Sequence, residues 1–308
     1  MRAVPVPVPL PLRDGVGASC VALPAGDWTS IADFLVERFA AIPRSTWQAR
    51  MRDGTVVDEH GVPVTESRPY EPRLRIYYYR ALDAETVIPF EESILFQDAQ
   101  LLVVDKPHFL PVTPVGKYVQ QSLLVRLRRR LGLEHLAPLH RIDRETAGIV
   151  LFSVQPAQRA AYSALFAQRA VTKRYEAVVA WPGDGPLPAI RRSRLAPDRH
   201  FMRMTEVEGV PNAETGFALI EQRHGFARLL LSPLTGRRHQ LRMHCAALGM
   251  PILNDAIYPR LLPEGQDAFD HPLQLLAKEI GFIDPVTGAE RHFTSPRSLV
   301  LPLPLAPR

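Results

Sequence analysis

Two cysteines in 308 residues, Cys20 and Cys245, are too few for a disulfide framework. Neither stands in a Cys-x-x-Cys pair or at a His/Cys spacing suited to zinc, so a reducing compartment and no bound metal are expected. No stretch reaches the roughly 18 uninterrupted apolar residues of a membrane-spanning helix. The apolar run over residues 2–12 carries Pro5, Pro7, Pro9 and Pro11, which break the continuous helix that a secretion signal needs. A cytoplasmic protein with no membrane partner is expected. Internal repeats and glycine-rich phosphate loops are also missing. Gly236 ahead of a helical stretch is not a Walker or Rossmann signature, so no nucleotide cofactor has a visible seat.

What is present describes a folded protein. Apolar residues make up 46% and charged residues 22%, and the length leaves room for one large domain or two unequal ones. Thirty prolines crowd the two ends, including Pro302, Pro304 and Pro307, and loops such as residues 182–188. The net charge of +5 is uneven: Arg126, Arg128, Arg129 and Arg130 form one run, Arg191, Arg192 and Arg194 another, and Arg237, Arg238 and His239 a third. Without an amphipathic helix beside them, such runs are either solvated faces or a surface for a polyanion.

Residues 1–27 read as an extended, proline-rich N-terminus. Ser30 can cap a helix in which Ile31, Phe34, Leu35 and Phe39 recur at helical spacing, and Pro43 stops it. A second short helix after Ser45 and strands over residues 55–57 and 74–79 complete a small unit. From Glu85 the pattern changes. Strands are expected over 101–104, 149–153, 175–180, 217–220 and 227–231, and helices over 122–131, 157–168 and 237–248. Without a regular βαβ cadence this predicts an α+β domain over residues 85–308.

The densest polar segment is His140-Arg141-Ile142-Asp143-Arg144-Glu145-Thr146-Ala147-Gly148, directly before the apolar strand Ile149-Val150-Leu151-Phe152. A charged loop fixed by a buried strand can present catalytic groups or can be merely solvated. Three further segments stand in order around it: Leu102-Val103-Val104-Asp105-Lys106-Pro107 running to Leu110-Pro111-Val112; Lys173-Arg174-Tyr175-Glu176-Ala177; and Gly236-Arg237-Arg238-His239-Gln240-Leu241-Arg242-Met243-His244, followed by Pro251-Ile252-Leu253-Asn254-Asp255.

Together these segments, over about residues 90–295, resemble the RluA family of RNA pseudouridine synthases, whose hallmark HRLDxxTSG corresponds to residues 140–148 with Ile142 for Leu and Ala147 for Ser. Residues 28–84 loosely resemble an S4-type RNA-docking module, or are a helical extension packed on the main domain. The resemblance implies a mixed, largely antiparallel sheet and the isomerisation of uridine to pseudouridine in structured RNA, rRNA or tRNA, by a monomer without cofactor. It implies Asp143 as the catalytic carboxylate, acting as nucleophile or as base at the ribose. Arg242 is implied as its partner, with a phosphate grip as the alternative, and Tyr175 as the ring on the target base. Arg141 would fill the gap left by a flipped-out base, and His140 would orient the loop. Arg144, Thr146, Lys173, Arg237, Arg238, His239 and Gln240 are expected to contact RNA. Arg238, His239 and Arg242 are placed along one side of a helix, and Thr235-Gly236 at its start offers N–H groups to a phosphate.

Asp105, His108, Phe109 and Leu276 depart from the family pattern, which is expected to bear on substrate choice, as is the loop over residues 182–203. The rivals are a noncatalytic RNA-binding protein that keeps the fold and a nucleoside glycosidase. The joint presence of Asp143, Tyr175 and Arg242 opposes the first. The second wants another poised carboxylate, and Glu145 is only two residues from Asp143.

Overall fold

The computed structural model describes residues 10–80, 84–181, 187–263 and 269–302. The prolines at 5, 7, 9, 182, 186, 304 and 307 lie outside the described residues. The chain divides into two compact units, Met1–Glu85 and Thr86–Arg308.

The first unit contains β1 (Ser19–Ala22), α1 (Ile31–Arg38), α2 (Arg44–Arg52), β2 (Val56–Asp58) and β3 (Arg75–Tyr78), its strands forming an antiparallel sheet in the order β1-β3-β2. Ser30 caps α1 by accepting from the Asp33 amide at 3.1 Å, while its hydroxyl donates to the Asp33 carboxylate at 2.7 Å. Ile31, Phe34 and Leu35 face inward against Trp47, Ile76 and Tyr78.

The second unit holds β4 (Ser93–Gln97), β5 (Leu101–Lys106), α3 (Leu123–Leu131), β6 (Ala137–Pro138), β7 (Ala147–Ser153), α4 (Arg159–Ala167), β8 (Thr172–Ala180), β9 (Ile190–Pro197), β10 (Met204–Val207), β11 (Ala213–Arg223), β12 (Phe226–Pro233), α5 (Gln240–Ala247), β13 (Leu275–Ile283) and β14 (Glu290–Thr294). They build an eleven-stranded sheet in the order β10-β9-β11-β12-β8-β13-β7-β5-β4, with β14 on β13 and β6 on β7. Every pair is antiparallel except β13 with β7, so the expected mixed, largely antiparallel α+β architecture is the one observed.

β5 and β7 are buried along their whole length because both faces are covered. Leu102, Val104, Val150 and Phe152 pack on Leu123 and Leu127 of α3, and Leu101, Val103, Ile149 and Leu151 pack on the side that holds Tyr162. Gly148, the second residue of β7, has φ 110°, and a Cβ there would lie 2.2 Å from the Ala277 carbonyl oxygen. Only glycine lets β7 and β13 close at this point, which fixes the C-terminal end of the loop that carries Asp143.

Three expectations change. The helix read over 237–248 starts at Gln240, because His239 adopts a left-handed φ of 52°; Arg237, Arg238 and His239 stand in the turn before it rather than along its side. Thr235 and Gly236 are therefore not at a helix start. The arginine run near 190 is a strand, β9, inside a stretch read as loop. Most of the basic runs are engaged within the protein. Arg126 donates to the Phe90 and Ile88 carbonyls at 2.7 and 2.8 Å, Arg130 pairs with Glu92 at 3.1 Å, Arg191 with Glu206 at 2.5 Å and Arg192 with Glu214 at 2.7 Å.

Candidate active site

The loop between β6 and β7 is held by the residues around it. Lys106, fully buried at the end of β5, donates to the carbonyls of Pro107 at 2.9 Å and Arg144 at 3.0 Å. Burial lowers its pKa to about 7, against the opposing pull of Glu145 and Asp143. His108 Nδ1 donates to the Glu145 carbonyl at 2.7 Å. His140 Nε2 accepts from the Leu151 amide at 3.1 Å and its ring stacks on Phe166, while burial drives its pKa down to about 3. A neutral imidazole is what that acceptor role requires. The Asp143 carbonyl accepts from the Thr146 amide at 3.2 Å, closing the turn.

A cleft of about 1000 Å³ opens over this loop, bordered by all the residues expected to act on or contact the RNA. Asp143 presents a carboxylate that is 27% exposed, and Arg242, on α5 and 2% exposed, donates to it through Nη1 at 3.2 Å. Burial disfavours the guanidinium charge, but Asp255 foremost, then Asp143 and Glu145, hold its pKa above the ordinary value. Glu145 lies 3.9 Å from Arg242 Nη1 and also pairs with Arg144 at 2.9 Å; burial opposes its ionisation, and Arg242 and Arg144 more than restore it. His239 Nε2 lies 3.9 Å from Asp143 Oδ1 and its Nδ1 meets the Tyr258 hydroxyl at 3.2 Å, with burial lowering its pKa. Tyr175, on β8, borders the same cleft, and burial followed by the Asp143 charge raises its phenol pKa, so it stands there as a neutral hydroxyl.

The remaining residues divide by what their side chains do. Arg141, Arg237 and Arg238 are exposed at the rim, although Arg237 also donates to the Asn212 carbonyl and Arg238 to that of Met202. Lys173 reaches the Thr235 carbonyl at 3.2 Å. Arg144 is tied to Glu145 and to the Tyr118 hydroxyl. Thr146 is buried, and so is Gln240, whose amide is spent on the fold: its oxygen accepts from the Thr235 hydroxyl and the Arg237 amide, its nitrogen donates to the Glu214 carbonyl and Thr215. Gln240 borders the cleft while its amide holds the turn before α5.

The departures from the family pattern are mostly packing. Asp105, 1% exposed, accepts from Ser295 and Arg297 at 2.6 Å each, and Leu276 is buried in β13. Sequence reasoning missed Arg169, exposed on the rim at a left-handed φ of 58° just after α4. It also missed Asp255, the bidentate partner of Arg242, although Asp255 closes one of the quoted segments. Among the described residues no group of three His, Cys, Asp or Glu side chains is placed to hold a metal ion, and no helix is long and apolar enough to cross a membrane.

The large, mainly antiparallel sheet, with the loop that carries Asp143 leading into β7, is the fold of the pseudouridine synthases. In keeping with it, human RNA pseudouridylate synthase domain containing 1 superposes with a TM-score of 0.54 at 22% identity, over 71% of this chain and 94% of that one. The chain belongs to the RNA pseudouridine synthase family, as two relatives show, and the model of RNA pseudouridylate synthase matches residues 100–247. An uncharacterized RNA pseudouridine synthase of Synechocystis is 30% identical over 241 residues, 73% of this chain and 78% of the relative. The dual-specificity RNA pseudouridine synthase RluA of Haemophilus influenzae is 33% identical over 212 residues, 66% and 92% respectively.

Proposed function

We propose that this protein is an RluA-type enzyme that isomerises particular uridines of ribosomal or transfer RNA, with Asp143 as the catalytic carboxylate and residues 28–84 as an RNA-docking module. The observation that carries the reading is the partly exposed Asp143 carboxylate at the base of a cleft, paired at 3.2 Å with the buried Arg242 guanidinium.

The chemistry asks for little else. The uracil must leave C1′ of the ribose, turn, and rejoin through C5, while the C5 hydrogen departs as a proton. A carboxylate beside the ribose serves either as nucleophile or as base. Under RNA, where water is excluded, an ionised carboxylate needs a partner, and Arg242 supplies it. A uridine in a stem or loop enters such a cleft only when flipped out of its stack. Arg141 at the rim offers a planar guanidinium to fill the vacated space, and Tyr175 offers a ring to the flipped base. Arg169, Arg237 and Arg238 are the cations placed for phosphates.

The test is to map pseudouridines in total RNA from cells with and without the protein. Loss of modification at discrete rRNA or tRNA uridines is expected. An unchanged map would contradict the reading.

A further inference from the structure

Arg242 has more acceptors around it than its charge calls for. Three carboxylates surround one guanidinium: Asp255 at 2.6 Å, Asp143 at 3.2 Å and Glu145 at 3.9 Å. Neutralising a buried cation takes a single carboxylate, and Asp143 and Glu145 already provide two, so charge balance does not explain Asp255. Geometry does. Asp255 takes Nε of Arg242 at 2.8 Å on Oδ2 and Nη2 at 2.6 Å on Oδ1, a two-pronged fork that specifies the plane and rotation of the guanidinium. Asp255 is itself set by the backbone: its Oδ1 accepts from the Ile257 amide at 2.8 Å and the Tyr258 amide at 3.1 Å, and its side chain is 1% exposed. The Tyr258 ring lies 5.7 Å from the guanidinium carbon. With Nε and Nη2 engaged, Nη1 is the nitrogen that reaches Asp143 and Glu145.

We propose that Asp255 is a positioning residue for the reaction: it locks the Arg242 guanidinium in one orientation, so that Nη1 meets Asp143 without rearrangement when RNA closes the cleft. This rests on the proposed function above, and it adds to it the residue that orients the catalytic partner. Without Asp255, a long side chain with several rotamers faces two carboxylates on one loop and has nothing to select between Asp143 and Glu145. A guanidinium fixed before substrate arrives costs no reorganisation at the moment of reaction.

The test is a double-mutant cycle on the full chain with Asp255→Asn, Arg242→Met and both together, read by single-turnover tritium release from C5-labelled uridine in RNA and by RNA affinity. Asp255→Asn is expected to slow turnover by roughly 100-fold, as misplacement of a catalytic group does, with RNA affinity within about two-fold. Because Asp255 acts through Arg242, the double variant should be no slower than Arg242→Met alone. Wild-type turnover in Asp255→Asn, or losses that multiply in the double variant, would overturn the proposal. If Asp255→Asn does not fold, the double variant, which removes both buried charges, still gives the comparison with Arg242→Met.

A second readout does not need activity. The Arg242 Nε–H should be protected from solvent exchange in the wild-type NMR spectrum and lose protection in Asp255→Asn; an unprotected wild-type signal would overturn the clamp. A wild-type protein with a protected Arg242 but no tritium release would count against the functional reading and leave the clamp standing.

Discussion

Tyr175 faces the cleft as a phenol that burial and the Asp143 charge both keep protonated. Its hydroxyl is therefore a donor throughout the working pH range, and its ring is a stacking platform for a flipped base. Tyr175→Phe removes only the first property: RNA affinity should hold while turnover falls. Tyr175→Ala removes both and should also weaken binding by about 1 to 3 kcal/mol, the usual worth of one base on an aromatic ring. Filter binding and single-turnover rates separate the two, and full activity in both variants would place the residue outside the site. Asp143, Tyr175 and Arg242 were legible because each stands in a short, ordered segment with a recognisable residue pattern. Asp255 was not, because nothing in spacing or periodicity links an arginine to a carboxylate thirteen positions on, across the end of a helix. Glu145 stands only two residues from Asp143 in the chain, yet the loop turns both carboxylates toward one guanidinium.

At the scale of elements, α1 was readable from Ser30, Asp33 and a clean apolar stripe, and β5 and β7 from unbroken aliphatic runs. β9 was not, because Ile-Arg-Arg-Ser-Arg offers no apolar alternation; Arg191 and Arg192 pair with glutamates on β10 and β11, contacts visible only in three dimensions. β13 was hidden for a similar reason, since Lys278 and Glu279 interrupt its apolar residues. The start of α5 was misread because a left-handed histidine leaves no mark in composition.

α5 is tied to the sheet by His244, wholly buried, whose Nε2 meets Ser193 of β9 at 3.0 Å and whose Nδ1 meets Thr215 of β11 at 2.9 Å. Burial lowers its pKa to about 4 from an ordinary value near 6.5. Above about pH 6.5 the side chain is neutral folded or unfolded, and its contribution is fully present. As pH falls from there toward 4 the unfolded chain takes up a proton that the folded one refuses, so stability is lost, by up to about 3 kcal/mol at the lower end. Denaturant unfolding at pH 7.5 and 4.5 measures this. His244→Asn should be less stable than wild type at pH 7.5 but should lose less on acidification, and an equal loss in the two proteins would show that His244 does not titrate on unfolding.

For the molecule as a whole, the net charge of +5 says little until its arginines are followed to their partners. Many hold strands and loops together, and Arg141, Arg169, Arg237 and Arg238 are exposed around the cleft that Asp143 borders. The fold thus places one partly exposed carboxylate beneath a cationic rim, with a buried guanidinium behind it. The most direct test is tritium release from C5-labelled uridine in RNA by purified protein and by Asp143→Asn, which keeps the shape of the side chain and removes its charge. Release by the wild type, with none from the asparagine variant although it still binds RNA, is the predicted result. Turnover by Asp143→Asn near the wild-type rate would contradict the account.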